Sequence, residues 1–146
     1  MKDIRWNLSE IAQKIQDDVK KLVKGFSDGD VAAYAMGMWV PMADIVENSE
    51  EVHILVDLPG ISAQEVEVTL TGTELKVHGS SPEKGELESA KFHLAERRHG
   101  PFSRTFSITA SVDPKQVSAK VHDGLLEVVF PKKPESKAQQ IKVEVK

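Results

Sequence analysis

The sequence predicts an all-β domain, a sandwich or barrel of short strands, carrying a helical arm in front and an extended tail behind. Three observations predict it. Apolar residues recur at spacings of three and four up to Phe26, then at a spacing of two after Trp39. Turn-forming pairs separate the alternating runs. A polar stretch, PKKPESKAQQ, divides the last long run from a final short one, IKVEV. The resulting division is an arm over residues 1–38, a β-domain over 39–131 and an extension over 132–146.

In the arm, Ile4, Leu8, Ile11, Ile15, Val19, Leu22 and Phe26 form one apolar stripe, with Glu10, Lys14, Asp17, Lys20 and Lys21 on the opposite face. Asp3 is placed to cap the helix and Gly25 to stop it. A helix of this length is marginal alone in water, so the stripe must pack on its own domain, inside an oligomer, or against a partner. Ser27–Met38 reads as a flexible, weakly apolar connection.

The strands follow in order. EVHILVDL (51–58), EVEVTL (65–70), ELKVHG (74–79), FSRTFSI (102–108), VSAKVH (117–122) and LLEVVF (125–130) alternate apolar and polar residues. Pro59-Gly60, Thr71-Gly72-Thr73, Asp113-Pro114 and Asp123-Gly124 mark the turns, and Asp123-Gly124 is the two-residue hairpin signal. Ser80–Ala90 is a long polar loop, and a loop of that length calls for a reason. Helix-length patterns do not occur between the strands, which argues against a doubly wound α/β fold.

Composition excludes several activities. The chain has 146 residues, 40% hydrophobic and 29% charged, with no cysteine and a formal charge of -4. Disulfides, thiolate nucleophiles and cysteine-based zinc sites are therefore ruled out. The balance does not suit nucleic acid, because phosphate binding needs a concentrated positive field. Apolar runs are too short for stable membrane insertion, and the N-terminal stretch lacks the continuous apolar core of a secretory signal, so a cytoplasmic location is expected. The sequence holds no Walker loop, no G-x-S-x-G elbow and no H-E-x-x-H. Its strand glutamates alternate with apolar residues, as on a solvated sheet face, and His53, His78, His93, His99 and His122 are scattered. An enzyme is not expected, nor a cofactor or metal.

Within this pattern lie more specific strings. WVPMADI (39–45), DLPG (57–60), ERRHGPFSRTFSI (96–108), AKVHDGLL (119–126) and IKV (141–143) stand in the order found in small heat-shock proteins. The chain from about residue 39 onward resembles their α-crystallin domain, an immunoglobulin-like β-sandwich, in the bacterial and plant form with a strand-swap loop. It departs mildly at Asp123 and Leu125, where the family usually has Asn and Val, and at Thr109, where a proline often stands.

The resemblance implies an ATP-independent holdase that binds unfolding client proteins, works as a dynamic oligomer of dimers, and hands clients indirectly to ATP-dependent refolding chaperones. It implies that Phe92, His93 and Leu94 cross to a neighbouring subunit; an ordinary long hairpin is the plainer reading. Arg104 lies on the same strand face as Phe102 and Phe106, and a cation there calls for a carboxylate, expected across the dimer interface with Glu96 and Arg97 in the same network. Ile141 and Val143 are expected as two anchoring knobs. Their groove would be lined by Val66, Val68 and Leu70 on one strand and Val117, Ala119 and Val121 on another. Trp6, Leu8, Ile11, Ile15, Leu22, Phe26, Tyr34, Met36 and Met38 are the expected client contacts, since Met and aromatic side chains adapt to varied partners. The rival reading is a monomeric β-sandwich scaffold of the p23-like type that binds one folded partner.

Overall fold

The computed structural model describes residues 7–14, 25–82, 90–134 and 140–145. Among these residues seven strands form two antiparallel sheets: β1 (Ala43–Glu47), β2 (Glu51–Asp57), β3 (Val66–Thr71), β4 (Glu74–Ser81), β5 (Gly100–Ser107), β6 (Ser118–His122) and β7 (Leu125–Pro131). One sheet has the order β1-β2-β7-β6 and the other β3-β4-β5. Every second residue of β2 and β7 turns inward: Val52, Ile54 and Val56 meet Leu126, Val128 and Phe130 in the core. Leu75 and Val77 of β4, with Phe102 and Phe106 of β5, close it from the second sheet. Period-two alternation thus gives two half-buried sheets packed face to face.

The turns follow their residues. Asp123 (φ 54) and Gly124 (φ 76) are both left-handed, the conformation a two-residue hairpin requires, and they join β6 to β7. Pro59-Gly60 makes a tight turn in which the Ile61 N–H donates to the Leu58 carbonyl at 3.3 Å; Gly60 sits at φ 73 there. Gly79 has a different role. A Cβ on it would lie 2.0 Å from the Glu65 carbonyl oxygen, so β4 and the 3-10 turn Ala63–Glu65 approach each other across a bare backbone.

The helix containing residues 8–14 (α1) follows Asn7, whose Oδ1 accepts from the Ser9 N–H; the expected cap, Asp3, lies outside the described residues. Two expectations need correction. The stretch read as a flexible connection contains a second helix, α2 (Asp28–Ala35), closed by a capping box between Ser27 and Asp30. A further strand, β1, precedes the first expected one and pairs with β2 from Ala43↔Val56 to Glu47↔Val52.

Candidate functional site

β3 and β6 are edge strands of different sheets on the same flank of the sandwich. Val66 and Val68 face Ala119 and Val121 across a hollow of about 230 Å³, with Ala63 and Leu126 in its floor and walls. Four of the six expected groove residues therefore come together. Leu70 lines the next hollow along β3, about 300 Å³, with Ile108, Ala110 and Val112. Val117 packs half-buried against the core.

The side chains expected to fill this groove stand outside it. Ile141, Val143 and Val145 are 83%, 86% and 98% exposed, and residues 140–145 have no strand pairing. Val145 continues the same alternation and was not among the expected anchors; the string IKVEV already contained the signal.

A second exposed set lies at the far rim of the larger sheet. β1 has no strand beyond it among the described residues, and Met42, Ile45 and Val46 are exposed there. Residues 90–99 join β4 to β5 without strand structure, and Phe92, His93 and Leu94 are exposed along them. Arg97, with Arg98, Trp39, Pro41, Met42, Asp57 and Pro59, borders a hollow of about 340 Å³.

Arg104 finds partners within its own chain. Its side chain is buried, and the carboxylate beside it belongs to its own chain: Asp30 Oδ2 lies 3.4 Å from Nε. One terminal nitrogen donates to the Pro41 carbonyl at 3.0 Å and the other to the Gly25 carbonyl at 2.9 Å. The guanidinium carbon lies 4.6 Å from the centre of the Phe26 ring and 5.3 Å from that of Phe106. Burial holds the Arg104 pKa below its ordinary value, and Asp30 opposes that shift. Glu96 and Arg97 are exposed. α2 supplies this carboxylate: Asp30 is fully buried against β5, accepting from the Ser27 N–H at 3.0 Å and the Thr105 N–H at 2.7 Å.

Among the expected client contacts, Leu8, Tyr34 and Met36 are exposed, Ile11 and Met38 are half-buried, and Phe26 is engaged with Arg104. Trp6, Ile15 and Leu22 lie outside the described residues.

On the outer face of the larger sheet, His53 Nδ1 meets Glu127 at 3.1 Å and Nε2 meets Glu51 at 2.9 Å. The hydrogen bond to Glu127 raises the His53 pKa, desolvation opposes the rise, and Glu51 adds to it. The same bond lowers that of Glu127, with Lys120 assisting. Among the described residues no group of three or more His, Asp or Glu side chains is placed to hold a metal, and no helix is long and apolar enough to cross a membrane.

Residues 44–146 match the Hsp20/alpha crystallin family. Small heat shock protein C4 of Rickettsia felis is 36% identical over 103 residues, covering 70% of this chain and 63% of that protein. Spore protein SP21 of Stigmatella aurantiaca is 36% identical over 105 residues, covering 72% of this chain and 62% of that protein. The chain thus spans less than two thirds of the length of these two relatives. Among solved structures, heat shock protein 16.0 from Schizosaccharomyces pombe superposes with a TM-score of 0.63 at 30% identity, over 74% of this chain and 99% of that one.

Proposed function

This chain belongs to the Hsp20/alpha crystallin family of small heat shock proteins, and on that premise we propose that it is a non-catalytic, ATP-independent holdase that captures unfolding proteins as a dynamic oligomer of dimers. One observation carries the reading: the chain bears both halves of a contact it does not make with itself. Ile141 and Val143 are exposed on the C-terminal tail, while the Val66, Val68, Ala119 and Val121 hollow stands open on the same molecule. Burying two such side chains is worth about 3–6 kcal/mol before ordering costs. Such a contact is reversible singly and durable when repeated over many subunits.

The dimer proposed beneath this assembly exchanges the Phe92–Leu94 segment onto the open edge of β1 in a neighbouring subunit. Strand addition of this kind matches backbone groups and seals an edge. Exposed arm residues, Leu8, Tyr34 and Met36 with Ile11 and Met38, supply apolar surface for clients. A cytoplasmic site of action and onward transfer to ATP-dependent chaperones complete the proposal.

The test is heat-induced aggregation of a client enzyme with no ATP present. Turbidity is expected to fall at near-stoichiometric ratios of this chain; unchanged turbidity at a several-fold molar excess refutes the holdase reading. Deleting Ile141–Lys146 is expected to shrink the assembly towards dimers by light scattering. A monomer before and after deletion favours the single-partner scaffold instead.

A further inference from the structure

β5 is the outer strand of its sheet, yet the chain seals its free edge by itself. Trp39 pairs with it in parallel: the Trp39 N–H donates to the Pro101 carbonyl at 3.1 Å, and the Trp39 carbonyl accepts from the Ser103 N–H at 3.2 Å. The next rung of a parallel pair needs an N–H from residue 41, and Pro41 has none. The pairing stops, and the Thr105 N–H is met by Asp30 Oδ1 at 2.7 Å. A carboxylate oxygen stands where the carbonyl of a further strand would stand.

The cover that brings this carboxylate is lightly held. α2 has 8 residues, short of the length at which a helix is stable alone, and buries only Asp30 and Ala33. Val31, Tyr34 and Met36 face solvent. Between α2 and the sheet lies a hollow of about 510 Å³, bordered by Ala32, Met36 and Met38 on one side and by Glu74, Lys76 and Thr105 on the other. The hold therefore concentrates in Asp30, and a buried carboxylate is favourable only while its bonds persist. At Arg104 Nε, 3.4 Å from Asp30 Oδ2, the pair rests on charge alone, because this buried nitrogen makes no hydrogen bond among the described residues.

We infer that α2 is a detachable cover, and that the β5 edge at Ser103–Thr105 is an acceptor for one extended segment of an unfolding polypeptide. The segment's carbonyl replaces the Asp30 oxygen on the Thr105 N–H. Backbone pairing requires no particular side chains, so the site accepts any unfolded chain that offers an extended stretch. Release of α2 also frees Phe26 from the Arg104 cluster. This inference rests on the holdase reading and adds to it a place and a mode of capture.

An engineered disulfide tests it. An ideal Cβ on Gly29 lies 3.9 Å from the Thr105 Cβ, within the range of about 3.5–4.5 Å that disulfides adopt. The chain has no cysteine, so in the Gly29→Cys/Thr105→Cys variant only this bridge forms within a subunit. The readouts are protection of a heat-unfolding dehydrogenase and backbone hydrogen exchange at Ser103 and Thr105. Wild type and the reduced variant are expected to protect equally. The oxidised variant is expected to need at least about a fivefold higher ratio to client, with protection restored by reductant.

In wild type, exchange at Thr105 is expected to rise on heating and to fall again when client is added. If wild type itself does not protect, the holdase reading falls. If wild type protects and the oxidised variant protects equally, the detachable cover is overturned. If oxidation abolishes protection but Thr105 stays fast in client complexes, the edge assignment is overturned. Slowing of Thr105 in heated samples without client assigns the edge to a second copy, which also overturns it. Should the cysteine pair damage folding, Asp30→Asn decides: it keeps the acceptor oxygen, loses the charge beside Arg104, and is expected to speed Thr105 exchange severalfold. Unchanged exchange in that variant overturns the latch.

Discussion

Replacing Gly79 with Ala places one methyl group where the fold has no room for it. The added Cβ would lie 2.0 Å from the Glu65 carbonyl oxygen and 2.8 Å from the Phe102 ring. Ordinary contact begins near 3.4 Å, so β4 and the Ala63–Glu65 turn must separate by about 1.4 Å. Phe102 is a fully buried core residue and cannot swing aside cheaply. Overpacking of this kind costs about 1–3 kcal/mol, and a backbone atom on one side places Gly79 at the upper end. Removing a strand glycine returns about 0.5–1 kcal/mol. The net loss is about 2 kcal/mol, which for a domain of this size lowers the melting temperature by roughly 8–16 °C. The assay is thermal unfolding followed by far-ultraviolet circular dichroism at several protein concentrations, so that assembly and folding separate. The displaced turn carries Ala63 and leads into Val66, both lining the tail groove, so light scattering below the transition should also show a smaller assembly. A melting temperature within about 2 °C of wild type refutes the close-approach reasoning.

Three more outcomes are expected. Val143→Ser should reduce the assembly further than Val145→Ser, and the Ile141→Ser/Val143→Ser pair should leave dimers by light scattering; equal sizes in all variants would remove the tail from assembly. Arg104→Ala leaves Asp30 buried without its cation and should cost about 3 kcal/mol in urea unfolding, the usual penalty for breaking a buried pair, with Arg104→Lys recovering only part because it cannot reach both the Pro41 and Gly25 carbonyls. His53 has a raised pKa, so its contribution is full below its ordinary value of 6.5 and is lost as pH rises through the folded-state value. Glu127 has a lowered pKa, so its contribution is present above its ordinary value of 4.5 and is lost as pH falls through the folded-state value. The stability gap between wild type and His53→Gln should therefore be widest near about pH 5.5 and narrow towards about pH 8; a gap that widens with pH contradicts the pairing.

Strands β2, β4, β5 and β7 were legible because each buries one face against a shared core, and burial writes period two into the residues; β3, half-buried on one face, and β6, exposed at four of its five positions, were legible from the alternation and turns beside them. β1 was not, because as an edge strand it is exposed at four of its five positions, and Ala-Asp-Ile-Val-Glu carries no alternation to read. α2 escaped for a related reason. Only Asp30 and Ala33 of its 8 residues are buried, too few to draw a stripe. The capping box between Ser27 and Asp30 was the one local signal, weakened by Asp standing where Glu is usual. The need of Arg104 for a carboxylate followed from alternation, since it shares a face with Phe102 and Phe106. Its partner did not, because chain topology alone brings Asp30 beside it. The groove was legible as two sets of alternating side chains, but which pairs face each other depends on how the two sheets stack.

In the proposed assembly the tail and its groove are different surfaces, so each subunit would be a particle with one plug and one socket. A plug-and-socket contact, unlike a two-fold one, does not dictate closure. Joined in pairs, such subunits would become four-valent nodes, with the polar stretch PKKPESKAQQ (131–140) as the bond between nodes. The stiffness of that bond, more than the strength of the plug, then governs whether the network closes into small shells or spreads over many sizes.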